Sequence, residues 1–127
     1  MADSLTISLL NRSHALALPD WAAREELLAA VGDTHARPGS ARLRAFAAVI
    51  GLCTRIGRES GADYAACRFD TLAYGGAVYG WLREKGTSPA EVVTAALALL
   101  PALTDATFPR QAEVDDALGK SGAEGVS

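Results

Sequence analysis

Residues 68–93 read RFDTLAYGGAVYGWLREKGTSPAEVV, and the fold is decided in this stretch. Asp70 stands before an apolar-periodic run and is a good N-cap, so a helix starts after it and runs to Lys85. Gly86 follows as the left-handed residue that ends such a helix. Ser88-Pro89-Ala90-Glu91 then opens another: Ser88 caps, Pro89 fills the first helical position and Glu91 completes a capping box. Inside the first of these helices Gly75 and Gly76 each cost about 1 kcal/mol relative to alanine. That cost is tolerable where another backbone must come close. Gly76 and Gly80 are four apart and share a face, while Tyr74, Val78 and Trp81 line a different side. The glycine face reads as a packing groove for a neighbouring helix, in this subunit or in another, and Gly76→Leu is expected to disrupt folding or association.

Upstream, Ser40 reads as the cap of a helix to about Ile56, in which Leu43, Phe46, Ala47, Ile50 and Cys53 recur at helical spacing. Val49, Leu52 and Ile56 widen that stripe, marking this as the central helix. Asp20 caps an earlier helix over Trp21–Val31, with Gly32 as its stop. Before it, Leu5, Ile7 and Leu9 alternate with polar residues and Leu16 and Leu18 flank Ala17; with Asn11-Arg12-Ser13 as a turn, a small β-hairpin over about residues 4–18 is the reading. Downstream, Val92, Val93, Ala96, Leu97, Leu99, Leu100 and Leu103 make the Ser88 helix apolar on most sides, and Pro101 is expected to kink or break it. A short helix over about Arg110–Leu118 follows. The fold expected is mainly α, a bundle of four to five helices with a small N-terminal hairpin: residues 1–118 as one helical domain and 119–127 as a flexible tail.

The chain of 127 residues fits one domain, and half of it is hydrophobic, but much of that is alanine. A core of small side chains in a small domain favours self-association or a partner. The net charge of −3 is unevenly spread. Arg37, Arg42, Arg44, Arg55 and Arg58 make the middle basic, while Asp105, Glu113, Asp115, Asp116 and Glu124 make the end acidic, which suits protein docking or self-complementarity. Nucleic-acid binding would want a more basic total with interleaved aromatics. The apolar run Ala95–Leu103 is interrupted by Pro101 and too short for a bilayer, and the first ten residues lack a signal pattern. Cys53 and Cys67 read as reduced core thiols, so the expected compartment is the cytoplasm, with no membrane and no nucleic acid as partner.

Catalytic patterns are scarce. Gly119-Lys120-Ser121 lacks the leading glycine and the strand–loop–helix setting of a phosphate loop. His14, His35, Cys53 and Cys67 lack the close spacing that pre-organises zinc, and the histidines read as isolated surface residues. Glu25-Glu26 and Asp115-Asp116 are sequential on helices, so their carboxylates diverge. No cofactor, no metal and no enzymatic activity are expected. Tyr74, Tyr79 and Trp81 concentrate the aromatic surface, a reading open between core and partner contact. The partner-binding candidates are Arg42, Arg44, Tyr74, Gly76, Gly80 and Trp81.

Leu43–Leu52 (LRAFAAVIGL), Ala65–Asp70 (AACRFD), Leu72–Gly76 (LAYGG) with the helix to Gly86, and the ending PRQAEVDDAL together resemble small proteins of phage and prophage tail-gene modules, the tail assembly chaperones. The likeness runs from Arg42 to Leu118 and consists of patterns with no catalytic residue to carry over. It implies a host-cytoplasmic protein, often a homo-oligomer, that binds the tape-measure protein, recruits tail-tube subunits and leaves before the particle is finished. Two other roles fit the residues: a neck or tail-completion component retained in the particle, and a small DNA-binding or regulatory module using Arg42, Arg44 and Arg55.

Overall fold

The computed structural model describes residues 5–37 and 39–108. The order is β1 (Thr6–Leu9), β2 (Arg12–Ala15), α1 (Trp21–Asp33), α2 (Gly39–Cys53), α3 (Ile56–Ser60), α4 (Thr71–Glu84) and α5 (Pro89–Thr107). The protein is mainly α with a two-stranded antiparallel hairpin. The Arg110–Leu118 helix and the 119–127 tail lie outside the described residues.

Helix α2 is the centre, as its wide apolar stripe implies. Every residue from Ala45 to Gly51 is buried, and α1, α3, α4 and α5 all pack on it. Its longest contact is with α4. Small residues let the two backbones meet there. A Cβ on Gly75 would fall into the Arg44 carbonyl, and one on Gly51 would come within 2.8 Å of both Tyr74 Oη and Val78 Cγ2. Gly75 is therefore the glycine that the helix pair needs. Gly76 is not: its Cβ would meet the Arg44 Cδ at an ordinary 3.6 Å, and a Cβ on Gly80 would meet nothing. The intramolecular groove thus lies one residue earlier than the Gly76–Gly80 face predicts, because Gly75 is the residue aimed at α2.

The caps on α4 and α5 follow the sequence. Asp70 accepts from the Ala73 N–H at 3.1 Å, and Ser88 with Glu91 forms the capping box. Glu91 accepts from the Ser88 backbone N–H, which holds its carboxyl below the usual range. Gly86 is left-handed, with φ +91°. Four boundaries differ from expectation. Gly32 lies inside α1, which runs to Asp33 and is capped by Thr34, whose hydroxyl donates to the Ala30 carbonyl at 2.8 Å. Ser40 lies inside α2 rather than capping it. That helix stops at Cys53, short of Ile56: the Thr54 hydroxyl takes the Ile50 carbonyl (2.6 Å) and offers its oxygen to the Ile56 N–H (3.1 Å). The Cys53 carbonyl meanwhile accepts from the Ala17 N–H at 2.7 Å. Finally, α5 runs unbroken through Pro101, so by length and composition it is apolar enough to cross a membrane; Val92, Ala96, Leu99 and Leu103 nevertheless sit in the shared core.

The hairpin turns at Leu10 and Asn11, both with positive φ, and not at Asn11–Ser13. Arg12 pairs with Leu9 and Ser13 with Ser8, leaving a two-residue loop of the kind that needs positive φ twice. Ile7 and Leu9 enter the core. His14, expected at the surface, is buried, and its Nε2–H donates to the Leu9 carbonyl at 2.9 Å. A carbonyl only accepts, so that nitrogen carries the proton. Arg12 reaches Glu59 on α3 at 2.6 Å, and this hydrogen bond holds the Glu59 carboxyl below its usual range.

Cys53 and Cys67 are both free thiols, the first buried and the second only half-buried. Burial pushes the Cys53 thiol up to about 12, with the Arg24 charge opposing, and pushes Tyr74 likewise to about 12.

Two outcomes are expected. In chemical denaturation Gly75→Ala lowers stability by about 2 kcal/mol through overpacking. In the same measurement Gly76→Ala raises it by up to about 1 kcal/mol through helix propensity. Secondly, Cys53 keeps in the folded state a proton that the unfolded chain sheds, so its contribution is complete below pH 9.0 and is lost as pH rises from there toward about 12. The melting temperature measured against pH falls across that window, and Cys53→Ala flattens the fall.

Candidate partner-binding site

Three of the six residues singled out from sequence come together. Arg44 leaves α2 beside the α4 backbone, and its side chain lies along Gly76, with Cγ, Cδ and Nε all within 4 Å of where a Cβ would be. Gly76 and Gly80, one turn apart on α4, form the floor of a depression of about 420 Å³ with Arg44 and Arg83 on its sides. Tyr79 and Ser40 also line it. The Arg83 guanidinium stands 5.8 Å from the Tyr79 ring centre, a distance at which the ring face attracts a cation.

Electrostatically the depression is one-signed. It holds two guanidinium groups and no carboxylate. Among the described residues, neither Arg44 nor Arg83 has a carboxylate in this depression against it. Both are exposed. The floor has no side chains to hold a visiting backbone away, so an acidic helix or extended segment can approach α4 closely and place carboxylates against the arginines. Among the described residues no three His, Cys, Asp or Glu side chains are grouped closely enough to hold a metal ion.

The other three candidates lie elsewhere. Tyr74 is 2 % exposed and belongs to the α2–α4 contact and not to a partner surface, since its side chain fills the space over Gly51. Arg42 lays its guanidinium over the Phe46 ring at 4.8 Å. Trp81 is half-buried against the core, with Lys85 Nζ 5.7 Å from its ring. Tyr79 and Arg83 were legible in principle: they follow Gly76 and Gly80 by three residues each and so fall on the same helix face. Ser40 was not, because it is brought in by the α2–α4 crossing. Compared with protein-family models, curated proteins and solved structures, the chain matches none.

Proposed function

We propose that this protein is a non-enzymatic assembly chaperone of a phage or phage-like tail, acting in the host cytoplasm by holding the tape-measure protein and recruiting tail-tube subunits. The observation that carries the reading is the Arg44–Arg83 depression over the bare Gly76–Gly80 backbone, whose lining has no carboxylate among the described residues, a surface suited to an acidic stretch of a long helical client. The resemblance from Arg42 to Leu118 supplies the client's identity. A core rich in alanine and an α5 with Leu97 exposed support association with further copies or clients. The DNA-binding alternative has less behind it: Arg44 and Arg55 line different depressions, and Arg42 is stacked on Phe46.

Tagged protein is followed by mass spectrometry in assembly intermediates and in purified particles. Presence with tape-measure protein in intermediates and absence from particles is the expected result; retention at fixed copy number makes it a neck or completion component, and absence from both refutes the reading. For the site itself, Arg44→Glu with Arg83→Glu is expected to leave the melting temperature within a few degrees of wild type. The same double variant is expected to cut recovery of tape-measure protein about tenfold, a loss of about 1.4 kcal/mol of binding.

A further inference from the structure

We infer that the trough between α1 and residues 63–72, the loop before α4 and its first turn, docks a basic, amphipathic segment of another protein. This surface is separate from the Arg44–Arg83 depression, and the inference stands whether or not the chaperone role holds.

The trough consists of two depressions, of about 340 and 220 Å³, which share Glu26 and Phe69 and so run on from one another beside α1. Along α1 it extends from Asp20 to Asp33, which on a helical rise corresponds to roughly four turns, and it ends at Arg37 beyond the helix. Alanines of α1 form one wall, Ala22 and Ala23 in the first part and Ala29 and Ala30 in the second. Tyr64 and Phe69 form the other. Small residues facing aromatic ones make a channel that a bulky apolar side chain can enter.

Phe69 is the feature that points outward to a ligand. It is 62 % exposed, the most exposed of the large apolar side chains among the described residues. It is also held there. Arg68 and Phe69 have φ of +56° and +59°, a region that bulky residues seldom occupy. Hydrogen bonds from Phe69 N–H to the Tyr64 carbonyl (2.9 Å) and from Asp70 N–H to the Cys67 carbonyl (3.0 Å) fix that backbone. The ring stands edge-on to Tyr64 at 5.3 Å, and Tyr64 in turn stands edge-on to the buried Tyr74. The loop thus spends conformational strain to present an aromatic ring that is rigidly backed by the core and open on its other side.

Charge selects the occupant. Asp20, Glu26, Asp33 and Asp70 line the trough against the one cation Arg37. Glu26 and Asp33 are exposed and have no ion-pair partner among the described residues. Asp20 and Asp70 each use Oδ1 for a helix cap, toward Ala23 and Ala73. A segment with an apolar ridge flanked by Lys or Arg satisfies both the aromatic wall and these carboxylates. The chain's own residues 109–127 fit poorly, with Glu113, Asp115, Asp116 and Glu124 against Arg110 and Lys120. On a second copy the paired arginines Arg44 and Arg83 border a depression and not an apolar ridge, so they do not enter a trough.

The test uses the full chain and a fluorescein-labelled helical peptide of about four turns, built of Leu on one face and Lys on the other, with a Leu/Glu peptide as control. Anisotropy titration is expected to give saturable binding of the Lys peptide alone, weakening with salt. Amide shift changes should fall on residues 20–37 and 63–72. Phe69→Asn, which keeps a residue tolerant of positive φ, is expected to weaken binding about tenfold. Glu26→Lys with Asp33→Lys is expected to do the same, while Arg58→Gln on α3 leaves binding unchanged. Circular dichroism melts check that each variant folds. Equal binding of both peptides, no saturable binding, or indifference to the two trough variants overturns the inference. So does a homodimer in sedimentation that Phe69→Asn dissociates, since the occupant would then be a second copy.

Discussion

The fold depends on how closely α4 can lie on α2. Three glycines make that approach possible from both sides: Gly75 admits the Arg44 carbonyl, Gly51 admits Tyr74 and Val78, and Gly57 on α3 abuts the Gly51 carbonyl. Dispersion falls off steeply with separation, so backbones in direct contact recover in packing what glycine gives up in helix propensity. The basic depression is a by-product of the same contact. The residue whose carbonyl receives Gly75 has to send its side chain across Gly76, and that is how Arg44 arrives at the site.

Local signals in the chain held at some caps and failed at others, for Gly32 lies inside α1 and Ser40 inside α2. The capping box at Ser88, the Asp70 cap and the left-handed Gly86 depend on neighbouring residues and stand where the residue types put them. The hairpin was visible as alternation, but its turn was displaced because Leu10 at positive φ gives no signal of the kind glycine gives. The end of α2 was illegible for a different reason. Thr54 can compete for the Ile50 carbonyl in any helix, but the release of the Cys53 carbonyl depends on Ala17, which periodicity does not bring near. Of the site, the glycine face with Arg44 was readable; the burial of Tyr74 was not, since aromatic residues serve cores and interfaces alike.

Net charge describes neither recognition surface. The depression over α4 carries Arg44 and Arg83, the trough beside α1 carries four carboxylates, and Leu72 at the start of α4 lines both. A small domain with opposite charges on adjoining faces distinguishes the orientation of a charged partner as well as its sign, because reversing the partner sets like charges together.

The hairpin leaves one more trace. A two-stranded ribbon is marginal by itself, and this one is tied down by two bonds to later parts of the chain: Ala17 N–H to the Cys53 carbonyl, and Arg12 to Glu59, 47 residues away. During synthesis the ribbon precedes its anchors. The cover of Ile7 and Leu9 also comes from later in the chain, since β1 packs on α5, so the ribbon waits during synthesis for partners that are made after it.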